Sequence, residues 1–391
     1  MSILKVDAIR HNSATSDAIT MASDGTCTAK LTSIAGGGLS HRNLIINGAM
    51  TVAQRATSST SDGYQTIDRF SSSQGSTNEG PTREQVDIAS GTTPYTLGFR
   101  KAFKITNGNQ TSGPQNASEI NLLYNVEAQD IVQSGWNYKS SSSFITWSFW
   151  IKSSVATNFY GYIRTYDNTA IGYAFETGNL QANTWTKIVK TLPGNANIDI
   201  DNDNGVGLQL RLLAYIGTAY SDNSTPLHTW TTYSSPARVP APPTTWYTTN
   251  DATLEVTGYQ LEVGDTATSF EHRSFSDELS RCQRYYQQYV NPCCTGVIPD
   301  NGSKAYSIGL QFQKRMRAVP TLSITNAGTG GNVSDGQSTQ FISSLNAADR
   351  NVDGASIYLN LAGDLGDFRP ACLGLNDSTT NSTTYKFTAE L

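Results

Sequence analysis

Short segments in which apolar and polar residues alternate recur along most of this chain, and they constrain its fold more than any other feature. The clearest examples are residues 98–105, 144–152, 159–166 and 208–215. Alternation with a period of two places the apolar side chains on one face of a β-strand. Several such strands separated by turn residues predict a β-sandwich or jelly roll, in which two sheets enclose one core.

The composition agrees with an all-β fold and argues against some functions. Charged residues make up 15% of the chain, whereas about 25% is usual in globular proteins. Ser, Thr, Asn, Gln and Gly supply the polarity instead, and these residues suit sheet faces and turns. The formal net charge of −5 argues against nucleic acid as a partner. No apolar run reaches the length of a transmembrane helix, so no membrane insertion is expected.

A strand, a tight turn and a short helix are predicted in succession over residues 254–290. Residues 254–263 are β-prone and precede Gly264, and Ser276 is a plausible N-cap followed by two acidic residues. The spacing of the next apolar residues gives one stripe along a helix, formed by Leu279, Cys282, Tyr286 and Tyr289. We therefore predict one short α-helix over residues 276–290.

This segment closely resembles the end of a β-sandwich, carbohydrate-binding-like module of phage tail fibres and related virion proteins. The resemblance lies in Gln-Leu-Glu-Val-Gly at 260–264, Phe-Glu-His-Arg at 270–273 and the run at 278–286. Residues 43–70 resemble the start of the same module, with Ala56 where the family usually has Gly and Phe70 where it often has Trp. The two matches stand in the right order and about 190 residues apart, as one closed jelly-roll-like sandwich would require.

The chain is expected to have four consecutive parts. They are an N-terminal short-stranded leader at 1–42, the β-sandwich at 43–275, a connecting helix at 276–292 and a small C-terminal β domain at 293–391. The Met-Arg-Ala-Val-Pro run at 316–320 resembles the small C-terminal β domain of many phage fibres. If the resemblance extends to the tip, long polar loops of this last domain are a second place for receptor contacts.

The leader has three short segments of β-prone residues but little apolar content. Three such strands cannot bury a core by themselves, so they need partner chains. The alternative is a disordered tail, which the Ser, Thr and Gly content also allows. Residues 1–42 resemble the leader of phage fibre proteins, and this resemblance implies a homotrimer that is attached to other virion proteins through the leader.

Enzyme motifs are absent from the sequence, and we expect no catalytic activity. The chain contains no GxSxG, no HExxH and no GxxxxGK(S/T). Glu262 and Glu271 could form a glycosidase carboxylate pair, but both lie inside the segment that resembles a structural signature. A structural role for Glu262 is favoured, with Arg69, Arg273 or a backbone amide as its partner.

Two groups of residues are candidate ligand sites. Asp199, Asp201 and Asp203 alternate along the chain, and such carboxylates can converge on calcium, although Leu210 stands where an EF-hand would need Glu. The alternative is a solvated turn, and no other cofactor is expected. Aromatic rings in the Pro-rich interval 217–250 are candidates for sugar binding, because sugars present apolar C–H faces; each could equally be packing. These rings are Trp230, Tyr233, Trp246 and Tyr247.

Together these features predict a structural virion protein of a tailed phage, most simply a tail fibre that attaches to a host surface glycan or receptor. A head fibre, or a capsid or baseplate decoration protein, has the same modules and is an open alternative. A polysaccharide-degrading spike is a third, less favoured because no β-helix repeat is visible. The first residues lack the apolar core of a signal peptide, so assembly of the virion protein in a host cytoplasm is expected.

Overall fold

The computed structural model is predominantly β, which confirms the predicted fold class. It describes residues 6–10, 12–13, 15–23, 27–29, 41–290, 292, 294–299, 302–307, 309–325, 331–366, 369–373 and 383–391. Within these residues, no helix is both long and apolar enough to cross a membrane.

The leader contains a small antiparallel sheet. Its strands are β1 (Ala8–Ile9), β2 (Ile19–Met21) and β3 (Cys27–Ala29), with β2 in the centre. Val6, Ile9 and Met21 are exposed, and Ile9 keeps 52% of its surface accessible. The described residues of the chain thus leave these apolar side chains of the leader exposed.

The central part is a β-sandwich with three short helices. The strands are β4 (Ser58–Ser59), β5 (Phe70–Gly75), β6 (Thr82–Asp87), β7 (Lys101–Thr106), β8 (Glu119–Glu127), β9 (Phe144–Ser153), β10 (Asn158–Thr165), β11 (Ile171–Asn179), β12 (Thr186–Pro193), β13 (Val206–Ile216), β14 (Trp230–Thr232) and β15 (Thr253–Val263). The helices are α1 (Thr93–Thr96), α2 (Ala128–Val132) and α3 (Thr245–Thr248).

These strands form two six-stranded sheets that face each other. The first sandwich sheet has the order β14-β11-β10-β13-β8-β5, and the second has the order β12-β9-β15-β7-β6-β4. Neighbouring strands within each sheet are antiparallel. Trp147, Phe149 and Tyr259 of the second sheet meet Phe175 of the first in a fully buried aromatic cluster. The alternation read from the sequence thus places one face of each sheet in a shared core.

The connecting helix is shorter than predicted. Helix α4 spans Phe275–Cys282, and its N-cap is Ser274 rather than Ser276, because the Ser274 hydroxyl accepts a 3.2 Å hydrogen bond from the Asp277 amide. Residues 286–290, which were predicted to continue the helix, form strand β16 (Tyr286–Val290). The periodic apolar stripe over this segment was overridden by hydrogen bonding to a strand almost a hundred residues later, which no local propensity encodes.

The C-terminal part contains the remaining strands. They are β17 (Cys294–Ile298), β18 (Lys304–Ser307), β19 (Leu310–Gln311), β20 (Thr321–Thr325), β21 (Asn332–Ser334), β22 (Thr339–Arg350), β23 (Gly354–Leu361), β24 (Arg369–Leu373) and β25 (Thr384–Thr388). Strands β18, β17, β24, β21, β22 and β23 pair in that order, and β23 pairs again with β18, so these strands close a ring. A second sheet, β16-β25-β20, packs beside it through Tyr385 and Phe387.

A buried charge cluster joins the sandwich to the C-terminal part; we call it the Glu390 joint and define it by Arg55, Asp68, Arg69, Tyr285 and Glu390. The Arg69 guanidinium contacts the Glu390 carboxylate at 2.6 Å and lies 3.4 Å from the Tyr285 ring centroid. Arg55 reaches the other Glu390 oxygen at 3.2 Å. Both arginines come from the sandwich and Glu390 follows β25, so the last described strand is tied to the first sheet by paired, buried charges.

Candidate functional site

Two of the four aromatic residues predicted to bind a ligand are part of the core. Trp246 and Tyr247 lie in α3 and are 1% and 0% exposed. The Trp246 indole donates to the Thr253 carbonyl at 3.1 Å, and the Tyr247 hydroxyl lies 3.1 Å from the Ser118 hydroxyl. The prediction is wrong for these two rings, because the Pro-rich interval folds back over the end of the sandwich and encloses them.

The other two rings lie at the edge of the first sandwich sheet and face different ways. Trp230 packs at 5.3 Å from the core ring of Tyr173, and its indole donates to the Pro193 carbonyl at 2.8 Å. Tyr233 turns outward and packs against Tyr162 at 5.9 Å between ring centroids. The geometry therefore gives Trp230 a packing role, while ligand binding by Tyr233 stays a prediction.

The predicted calcium residues do not come together. Within the described part of the chain, no group of three or more His, Cys, Asp or Glu side chains is placed to hold a metal ion. Asp199 contacts Lys139 at 3.4 Å, and Asp203 accepts a hydrogen bond from the Gly205 amide at 2.8 Å. Asp199, Asp201 and Asp203 lie along an irregular segment, and calcium binding by them stays a prediction.

The two carboxylates that resembled a glycosidase pair are fully engaged in structural contacts. Glu262 pairs with Arg42 at 3.3 Å and accepts a hydrogen bond from the Thr268 amide at 2.9 Å. Glu271 accepts from the amides of His41 and Asn43 at 2.6 and 2.7 Å. A backbone donor to Glu262 was expected, but its arginine partner is Arg42 rather than Arg69 or Arg273. Both carboxylates fasten the start of the sandwich to its last strand.

The outer face of the second sandwich sheet holds a group of aromatic rings that the sequence interpretation did not select. We call it the aromatic platform and define it by Phe99, Trp150, Trp185 and Phe270. Trp150, Trp185 and Phe270 are partly exposed, whereas Phe99 is buried beneath them. Trp150 lies on β9 three residues after the core residue Trp147, and an odd separation along a strand puts the two side chains on opposite faces.

A pocket of about 290 Å³ is lined by three of these rings, Phe99, Trp150 and Phe270. Phe99 and Phe270 meet edge to face at 4.8 Å, and the imidazole Nε2 of His272 lies 2.9 Å from the Leu97 carbonyl. The pocket thus combines an apolar floor with polar groups at its rim. The residues that supply the rim are Ser148, Lys187, Thr268, Ser269 and His272.

Gly258 keeps this pocket open. It interrupts β15 with φ = +66°, where the pairing register with β9 shifts. A Cβ atom at this position would lie 2.8 Å from the Phe99 ring and 3.2 Å from the Trp150 ring. Glycine adopts the left-handed backbone conformation more readily than other residues do. It therefore suits position 258, where β15 bulges beneath the rings of Phe99 and Trp150.

Paired charges lie next to the platform on the same face of the sheet. Lys152 contacts Glu255 at 2.9 Å, and Lys104 contacts Glu84 at 2.7 Å. The Lys152 ammonium also lies 5.1 Å from the Trp185 ring centroid. Aromatic rings beside charged and hydroxyl groups match the two chemical sides of a sugar, which are an apolar C–H face and a hydroxyl rim.

The sequence contained a signal for this site, because aromatic residues occupy both odd and even positions of one predicted strand. Residues 144–152 have aromatic side chains at both odd and even positions, and only one parity can face the core. Since Trp147 faces the core, the even-numbered Trp150 lies on the outer face of the sheet, where its partly exposed ring can contact a ligand. Its neighbours Phe99 and Phe270 come from distant segments, and their approach to Trp150 could not be read from spacing.

Comparison with known proteins yields structural likenesses only. No family model matches the chain, and no curated protein matches it. A putative sugar binding protein from Bacteroides thetaiotaomicron superposes with a TM-score of 0.32 and 11% identity, covering 57% of this chain and 100% of that one. A structure described as a CBM4 module gives a TM-score of 0.30 and 13% identity, covering 56% and 98%.

The enzymatically active domain of tailspike protein 4 from bacteriophage CBA120 is also similar to this chain. The TM-score is 0.28 and the identity is 11%, and the match covers 60% of this chain and 24% of that protein. The chain thus spans about a quarter of the tailspike domain's length. None of these likenesses assigns the chain to a family.

Proposed function

We propose that this protein is an attachment protein of a virus particle and that its aromatic platform binds a glycan of the host surface. The observation that supports the proposal most directly is the pair of partly exposed rings, Trp150 and Phe270, that line a pocket with a polar rim. The resemblance of residues 43–70 and 254–286 to the two ends of a tail-fibre module supports the viral setting, and a tail fibre is the simplest assignment.

The geometry suits sugar stacking. A pyranose ring placed over Trp150 would bury its C–H face on the indole, while Lys187, directly opposite Trp150 on β12, would reach its hydroxyl groups. A volume of about 290 Å³ lies at the small end of ligand pockets, which are typically about 300–1,000 Å³. We therefore expect the platform to take a short stretch of a surface polysaccharide rather than a large folded partner.

We further propose that binding occurs without cleavage of the glycan. Glu262 and Glu271 are held by Arg42 and by backbone amides, so this pair has no free acid and base at a sugar-binding surface. Release of new reducing ends from a host polysaccharide by the purified protein would contradict this part of the proposal and would revive the degrading-spike alternative.

Multivalent attachment is the expected mode of action. The leader sheet exposes Val6, Ile9 and Met21, and three copies of the chain would cover such apolar residues while anchoring the protein to other virion components. Weak glycan sites on one trimer would raise the overall avidity through their effective concentration. A monodisperse monomer in light scattering of the full chain would contradict the homotrimer.

The decisive experiment is a binding titration on purified host-surface polysaccharides, comparing wild type with Trp150→Ala. Loss of a stacked indole should weaken binding about tenfold or more. Trp230→Ala is the matched control, because it removes a partly buried indole from the opposite sheet and should leave the affinity unchanged. Trp150→Phe, which keeps a ring on the platform, should bind with intermediate affinity and guards against a folding defect in the alanine variant.

Two results would overturn the glycan site on the platform. One is wild-type affinity in both Trp150 variants, and the other is an equal loss in Trp150→Ala and Trp230→Ala. Location on the particle requires a separate measurement, which is gold labelling of intact virions with antibody to residues 293–391. Label at tail appendages supports the tail fibre, whereas label over the capsid supports a head fibre or decoration protein.

A further inference from the structure

The outer face of the first sandwich sheet contains an arginine held between two tyrosine rings. Arg164 is near the end of β10 and is partly exposed. Its guanidinium carbon lies 4.0 Å from the centroid of the Tyr166 ring and 4.1 Å from that of Tyr233. A planar cation stacked on aromatic faces directs its N–H donors outward along its own plane, so the donors of Arg164 remain oriented while the rings restrain its plane.

Other contacts of the first sandwich sheet hold the two rings of this stack, and Tyr233 packs against Tyr162 at 5.9 Å between ring centroids. The residue directly opposite Arg164 on β11 is Gly172, and a Cβ atom there would lie 3.5 Å from the Tyr233 ring. On the other side, Gln209 of β13 is opposite Arg164 and donates to the Tyr166 hydroxyl at 2.9 Å. Each ring is thus held by a contact that does not involve the guanidinium, and the stack is organised in advance of any ligand.

Arg164 has no counter-ion within the described part of the chain. No carboxylate there lies within ion-pairing distance of its guanidinium, and its buried Nε atom has no hydrogen-bond acceptor. Two other arginines of the same face share one acid, since Arg211 and Arg238 contact Glu119 at 3.1 and 3.2 Å.

We propose that Arg164 is the centre of a second binding site, one that takes the carboxylate of an acidic sugar. A carboxylate fits the guanidinium fork with two parallel hydrogen bonds, and such charge-assisted pairs are stronger than neutral ones. The sugar ring would rest at the edges of Tyr166, which is 40% exposed, and Tyr233. The site lies on the first sandwich sheet, whereas the aromatic platform lies on the second, and the two sites differ in ligand class. Each site can therefore be tested independently of the other.

The test is isothermal titration of the full chain with an oligomer of galacturonic acid, with an oligomer of galactose as the neutral counterpart, in about 150 mM salt to screen long-range attraction. The acidic oligomer should bind, and Arg164→Gln should weaken that binding about tenfold to a hundredfold. Arg164→Lys keeps the charge but removes the planar fork, and it should also lose most of the affinity. Tyr233→Leu should weaken binding several-fold through loss of the stack.

The matched control is Arg315→Gln, which removes the same charge from a position that is 72% exposed and paired only with Asp353 at 3.9 Å. It should bind the acidic oligomer as the wild type does. Unchanged affinity in Arg164→Gln, full affinity in Arg164→Lys, or an equal loss in Arg315→Gln would overturn the site. Trp150→Ala should leave acidic-sugar binding intact, so failure of the platform and failure of this site give different results.

Discussion

Arg69 and Arg164 are both stacked on tyrosine rings, yet their surroundings differ in one respect. Arg69 lies 3.4 Å from Tyr285, is 1% exposed, and contacts the Glu390 carboxylate at 2.6 Å. Arg164 lies 4.0 Å from the centroid of the Tyr166 ring, but it is partly exposed and has no acid within reach among the described residues. These two stacks thus combine the same residue types, one with an internal counter-ion and the other without.

The difference separates structure from recognition. A buried guanidinium must be paired, because an unpaired charge inside a protein costs several kcal/mol. Arg69 meets this requirement and joins the first sandwich sheet to the C-terminal part. A partly exposed guanidinium can leave its pairing to water or to a ligand, and rings that hold it in place lower the cost of ordering it on binding. The predictions below test whether the two stacks really differ in this way.

The largest effect is expected for Arg69→Met. Removing this partner leaves Glu390 buried with only Arg55 at 3.2 Å, and breaking a buried pair typically costs about 3–5 kcal/mol of unfolding free energy. Urea unfolding followed by tryptophan fluorescence would measure the loss. The double variant Arg69→Met with Glu390→Gln should recover part of it, because the unpaired carboxylate is then gone. A loss below about 1 kcal/mol would show that the Glu390 joint is not a stabilising ion pair.

A smaller effect is expected from the pH dependence of the same joint. Burial raises the pKa of Asp68 to about 6, against the opposing effect of Arg55. The folded chain therefore keeps a proton on Asp68 that the unfolded chain releases at a lower pH. The stabilisation from Asp68 is complete below the ordinary pKa of an aspartate and is lost as the pH rises towards 6, by at most about 3 kcal/mol.

Asp68→Asn isolates this contribution, because asparagine keeps an oxygen acceptor for the Gln54 amide, which donates to Asp68 at 2.9 Å. Urea unfolding of wild type and variant at a series of pH values between about 4 and 7 should show a fall for the wild type that the variant lacks. Parallel curves for the two proteins would mean that Asp68 titrates normally in the folded state, and that the interior of the joint is wetter than its burial indicates.

The smallest effect is expected for Arg164→Met. A partly exposed cation–π stack contributes about 1 kcal/mol or less to stability, and the substitution leaves no buried acid unpaired. The unfolding free energy should therefore change far less than in Arg69→Met, measured in the same urea titration. A loss as large as that of Arg69→Met would make Arg164 a structural residue and would remove the reason for proposing a ligand there.

Much of the fold could be predicted because its signal is local. The alternation over residues 144–152 predicted strand β9 (Phe144–Ser153), and that over 208–215 predicted β13 (Val206–Ile216). Helix α4 was found in the right place, but its end was not. The stripe from Leu279 to Tyr289 has helical spacing, yet residues 286–290 pair with β25. A strand partner distant in sequence decided that segment.

The candidate sites were harder to predict for the same reason. Trp246 and Tyr247 occur in a polar, Pro-rich interval that reads as an exposed loop, and only the folded chain shows that the interval turns inward. Tyr233 was selected for its residue type, whereas its partner Arg164 was not, because the two meet only through the pairing of β10 with β11. Contacts between strands depend on register, which a single sequence does not state.

The amino-acid sequence by itself determined that this is an all-β chain with sandwich strands, since period-two alternation and turn residues act within a few positions of one another. It also determined that Trp147 and Trp150 lie on opposite faces of one strand, so that only one of these two rings could face the core. Only the tertiary structure decided where those rings meet, which arginine keeps its acid and which does not. Those outcomes depend on sheet order and register, through which residues far apart in the chain become neighbours.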